Sequence, residues 1–81
     1  NNKNIVFTGV RNKGFEKLIT SDKYNANIKS SISKTTNYLI IKNKETKGKK
    51  VEKVIELNKQ EGVDIKILTL EEIIIMVKKG V

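Results

Sequence analysis

The chain has 81 residues, with 17 Lys+Arg against 9 Asp+Glu, a formal net charge of +8, and no Cys or His. That length fits one domain, residues 1–81, rather than two. The missing Cys and His exclude a disulfide framework, a thiolate or imidazole metal centre and a Ser-His-Asp triad, so no metal, no cofactor and no catalytic site of its own are expected, and the Lys excess points to a polyanionic partner or a solubilising surface.

The first patterned segment is Ile5-Val6-Phe7, a β-branched and aromatic run that reads as a buried strand entering a loop at Thr8-Gly9. Arg11-Asn12-Lys13-Gly14 reads as a turn. Phe15, Leu18 and Ile19 recur at helical spacing and predict a short helix that stops near Ser21-Asp22. Asn25 to Ile32 carries a short second strand, and Ser33-Lys34-Thr35-Thr36 is a polar turn in which the threonine hydroxyls serve turn amides. Asn37 to Ile41 reads as the clearest strand, apolar on both faces as a central parallel strand should be.

Lys42 to Lys47 is a charged loop. Gly48 to Gln60 predicts a helix with Val51, Val54 and Ile55 as its apolar stripe, Leu57 beside it, and Gly62 just past its end. Val63 to Leu68 alternates like a last strand. Thr69 is a good N-cap with Glu72 three residues on, a capping box, and Leu70, Ile73, Ile74 and Val77 continue as a helical stripe toward Lys78-Lys79. Ile75 and Met76 lie off that stripe. Wrapping by a terminal segment would cover them, and without it they form a partner patch.

Strands alternating with helices imply an α/β layer architecture with a mainly parallel sheet. The exception is the step from Ile32 to Tyr38, short enough to suggest a hairpin on local pattern. No apolar run approaches the roughly 18–20 residues that span a bilayer, so no membrane role is expected. Asn1-Asn2-Lys3-Asn4 has no signal-peptide core, and a start without Met reads as a fragment of a larger protein.

Four stretches taken together carry a family resemblance: Val6-Phe7-Thr8-Gly9; Ser31-Ile32-Ser33-Lys34-Thr35-Thr36-Asn37-Tyr38-Leu39-Ile40-Ile41; Gly48-Lys49-Lys50-Val51-Glu52-Lys53-Val54; and Gly62-Val63-Asp64-Ile65 running into Thr69-Leu70-Glu71-Glu72. In order and spacing they resemble the BRCT domain, most of all the single modules of NAD-dependent DNA ligases and of the replication factor C large subunit. The resemblance implies a four-stranded parallel sheet in the order 2-1-3-4 flanked by three helices, and so overrides the hairpin. The sequence departs from the family at two places. Asn25-Ala26 stands where a Gly-Gly pair is usual, although Asn tolerates a left-handed backbone. An Ile or Leu must fill the volume of the usual Trp in the last helix, as in ligase-like members.

In phosphate-binding members a Ser or Thr ending the first strand, the next Gly N–H and a Lys near the start of the second long helix contact phosphate. The matching residues are Thr8, Gly9 and Lys50, the last standing four residues before Val54. Physical chemistry points the same way. A hydroxyl and a backbone N–H at a strand end face a helix N-terminus with about half a positive charge, Gly48 allows close approach, and Lys42 to Lys53 holds six Lys against two Glu, a funnel for phosphate. The plainer alternatives are that Thr8 serves its own turn and that Lys50 is a solvated helix-start lysine. Lys47, Lys49 and Arg11 are flanking charges.

The resemblance therefore implies a non-catalytic module of a DNA replication or repair protein, in the nucleus or in the cytoplasm or nucleoid. Its ligand would be DNA, bound without base specificity and through a phosphate such as a 5′-phosphate end, and it would also contact the rest of its parent chain. The alternative is a phosphopeptide or protein–protein interaction module using the same pocket.

Overall fold

Successive strand residues point to opposite faces of a sheet, and in Ile5-Val6-Phe7 that alternation separates two cores. The structure, a computed structural model, describes residues 3–79. Asn1 and Asn2, half of the start read as lacking a signal-peptide core, lie outside the described residues, as do residues 80 and 81. The elements are β1 (Asn4–Phe7), α1 (Lys13–Thr20), β2 (Asn27–Lys29), β3 (Tyr38–Ile41), α2 (Lys49–Leu57), β4 (Lys66–Thr69) and α3 (Leu70–Lys78).

The strands form one sheet in the order β2-β1-β3-β4, with every neighbouring pair parallel. Ile5, Phe7 and Ile40 point to the face covered by α1 and α3, where Phe15, Ile19 and Ile73 meet them. Val6, Leu39 and Ile41 point to the other face, packed by Val54 of α2 with Ile32 and Ile65. Ile73 is buried in the first core, so an isoleucine of the last helix does fill apolar volume there.

The short step between β2 and β3 is not a hairpin, because the two strands lie on opposite sides of β1. β2 is only three residues long, so a short return segment brings the chain back to the start of β3. Ile32 packs that segment against Val6. Asn4 N–H donates to the Asn37 side-chain oxygen at 2.7 Å, Asn37 N–H donates to the Asn4 carbonyl at 2.8 Å, and the Asn4 amide donates to the Thr35 carbonyl at 2.9 Å. Thr36 is buried and its hydroxyl accepts from Ser33 N–H at 3.0 Å, which is the turn role expected of it. Asn25 adopts φ +55°, so the left-handed turn survives without glycine.

Several boundaries and faces differ from expectation. Asn12 is the N-cap of α1, its side chain accepting from Phe15 N–H at 3.0 Å, so Lys13 and Gly14 are helical rather than part of a turn. α2 ends at Leu57, before Gly62. Asn58 takes over there, accepting from Ile65 N–H at 2.8 Å and donating to Ile65 O at 2.9 Å, and so ties the end of α2 to the chain entering β4. Leu18 and Ile55, both assigned to apolar stripes, are 45% and 54% exposed. Each residue turns a helix by about 100°. With Phe15 and Ile19 buried in α1, and Val54 central in α2 with Val51 and Leu57 beside it, Leu18 and Ile55 are carried to the rim.

Candidate functional site

Thr8 and Gly9 follow directly on β1, and Lys42 follows directly on β3. The two strands are parallel neighbours with Phe7 opposite Ile40, which carries Gly9 to the side of Lys42. A Cβ added to Gly9 would lie 3.9 Å from the Lys42 Cβ. From β1 the chain leads to β2 on one side of the sheet, and from β3 to β4 on the other. The loops after β1 and β3 therefore part at the carboxyl ends of the strands, the place where open α/β sheets form a ligand crevice.

Lys50 reaches this point from the first turn of α2. Its ammonium donates to the Phe7 carbonyl at 3.4 Å, across 43 residues of sequence, and the side chain is partly buried. This brings the charge to the last residue of β1, adjacent in sequence to Thr8. Thr8 N–H donates to Ile40 O at 2.9 Å and anchors the loop to β3. Gly9 has φ +72°, a left-handed conformation that favours glycine. Gly48 is the N-cap of α2 and makes no side-chain cap, so the early N–H groups of the helix are left without one. Glu52 N–H donates to Gly48 O at 3.1 Å.

The flanking residues divide. Lys47 and Lys49 are exposed on either side of Gly48. Arg11 is turned to other work: its guanidinium donates to both oxygens of Glu16, at 2.6 and 3.1 Å, and lies 5.7 Å from the Phe7 ring centre. The hydrogen bond from Arg11 is the main reason the Glu16 carboxyl is held below its ordinary value, and the same bond raises Arg11. A guanidinium so engaged is a poor candidate for a mobile phosphate contact.

A cleft of about 590 Å³ adjoins the site on the β4 side, lined by Val10, Lys42, Asn43 and Lys44 on one wall and by Thr69 to Glu72 on the other. Lys44 bridges to Glu72 at 3.9 Å with both groups exposed, a contact of little energetic weight. Lys42 was legible only as part of a net charge. Its signal is the parallel register, which sets the residue after β3 beside the residues after β1.

Ile75 and Met76 differ in burial. Ile75 is 53% exposed among the described residues, whereas Met76 is half-buried and lines a separate cavity. Among the described residues no group of three or more His, Cys, Asp or Glu is placed to hold a metal ion, and no helix is long and apolar enough to cross a membrane. No protein-family model matches the chain, and no curated protein matches it. The sheet order and the three flanking helices are consistent with the generic BRCT-like topology and with a small non-catalytic α/β module.

Proposed function

We propose that this chain is a BRCT-type module that binds DNA through a backbone phosphate or a 5′-phosphate end, within a larger replication or repair protein of the DNA-ligase type. The observation that carries the reading is the reach of the Lys50 ammonium to the Phe7 carbonyl. It sets a cation from the first turn of α2 at the last residue of β1, next in sequence to Thr8 and Gly9, and the N-cap of that helix, Gly48, makes no side-chain cap. An anion there meets a positive charge, backbone donors and the helix dipole together. Lys42, Lys47 and Lys49 extend the positive field around that point, and the net charge of +8 speeds encounter with a polyanion. Binding of this kind follows phosphates and not base sequence.

The test is a titration of labelled 5′-phosphorylated duplex, unphosphorylated duplex and a phosphoserine peptide against the wild type and the Thr8→Ala/Lys50→Glu double variant. The expected result is that the phosphorylated duplex binds best and that the double variant binds it at least tenfold more weakly, each lost charged contact being of order 1.5–3 kcal/mol. Equal DNA binding by the two proteins would falsify the pocket. Preference for the phosphopeptide would move the same pocket to a protein ligand.

A further inference from the structure

A second concave surface lies at the other end of the sheet, between α1 and α3. It is a cavity of about 310 Å³ near the starts of β1 and β3, with Lys3 and Tyr38 at its edge. Its floor is the buried apolar surface of Ile5, Ile19 and Ile73. Its walls are the half-buried side chains of Tyr24, Ala26, Met76 and Val77. The volume is at the low end of the roughly 300–1,000 Å³ typical of ligand pockets. That suits anchoring side chains better than a large cofactor.

The charge around it has one dominant sign. Lys3 is the charged residue in the lining among the described residues. Lys23 holds its ammonium 5.4 Å from the ring centre of Tyr24, a wall residue. Lys78 and Lys79 are exposed and follow directly on Val77. The acids nearest in sequence to the lining are Asp22, exposed in the turn before Lys23, and Glu72, which adjoins Ile73 but is held in the capping box with Thr69 at the start of α3. A second copy of this +8 chain would bring like charge to a basic rim, and a nucleic-acid backbone offers nothing apolar to the walls.

We infer that this groove docks an acidic amphipathic segment of a partner protein, whose apolar side chains enter between α1 and α3 while its carboxylates meet Lys3, Lys23 and the Lys78-Lys79 pair. Apolar anchors in a groove with complementary charge at the rim is a recurring mode of helix recognition. Because the groove and the Thr8–Lys50 site lie at opposite ends of the strands, the module holds both ligands at once, and the inference stands whether or not the anion site binds DNA.

The probe is a synthetic helical peptide with Leu at positions i, i+3, i+4 and i+7 and Glu between them, titrated into isotope-labelled protein and followed by NMR. The expected result is saturable shifts at Ala26, Met76 and Val77 with none at Thr8 or Gly9. Replacing Glu by Lys in the peptide should weaken binding at least tenfold, and Lys3→Glu/Lys23→Glu in the protein should weaken it several-fold. Ala26→Phe fills the groove and Met76→Glu puts a charge in its wall. Each should abolish the shifts, and Met76→Glu, at a half-exposed position, keeps the test valid if the larger side chain unfolds the protein. The inference is overturned if the acidic peptide gives no shifts, if the Lys peptide binds equally well, or if light scattering shows a dimer that Met76→Glu dissociates, which would assign the groove to a second copy.

Discussion

Gly48 shows how one residue shapes the start of α2, from which Lys50 reaches the candidate site. Its backbone stands at φ +156°, ψ 179°, a region essentially restricted to glycine. A Cβ there would touch nothing within 4 Å. Gly48→Ala therefore separates backbone strain from crowding. It should lower stability by about 1–3 kcal/mol, seen as a lower urea midpoint with an unchanged slope. An unchanged midpoint would mean that the loop relaxes to another conformation at no cost. The sequence placed Gly48 at the helix start but did not show this dihedral, because a glycine in a lysine-rich loop reads only as freedom. The Arg11–Glu16 pair was not legible for a related reason. Glu16 is five residues away, and a turn assignment for Asn12 to Gly14 hid the helix that brings the two together.

At the scale of elements, local signals were legible and the orientation of short helices was not. The capping box of α3 is written in adjacent residues and forms as read: Thr69 Oγ1 accepts from Glu72 N–H at 3.2 Å, and Glu72 accepts from Thr69 N–H at 2.9 Å. That backbone hydrogen bond is the main reason the Glu72 carboxyl is held below its ordinary value. The folded value lies below the unfolded one, so the contribution is complete at neutral pH and is lost as pH falls through the folded value. Glu72→Gln keeps the box but does not titrate. Its thermal midpoint should fall less than that of the wild type between neutral and about pH 3, with a residual fall from Glu16, whose carboxyl is depressed in the same direction. Parallel curves for the two proteins would show that the box does not feel the charge.

The end of α2 was the opposite case. Asn58 reads as an ordinary polar residue in a helix tail, yet it bonds both the N–H and the carbonyl of buried Ile65. Asn58→Ala leaves two backbone groups without their partner and should cost about 1–3 kcal/mol. Guanidinium unfolding monitored by far-UV circular dichroism measures it, and a loss of a few tenths would mean that water replaces the amide.

For the whole molecule, the parallel order could not come from local pattern, since β2 and β3 are close in sequence yet separated by β1. It had to come from the four-stretch resemblance, and the contact that unites the candidate site, Lys50 to Phe7, depends on that order. The same order concentrates charge at one end of the sheet, and that has a thermodynamic signature. On the proposed reading, Lys42, Lys47, Lys49 and Lys50 would each meet one phosphate and release counterions, so that log K should fall with log salt at a slope of about −3.6. Lys50→Ala should weaken binding uniformly across DNA sequences and make the slope shallower by about 1. Lys59→Ala is the control, because Lys59 follows the far end of α2 and pairs with Glu56 at 3.4 Å. Its slope should match the wild type when duplex affinity is measured at several salt concentrations. Equal slopes for all three proteins would mean that DNA is held by charge spread over the surface, and the address given to it at the end of β1 would be wrong.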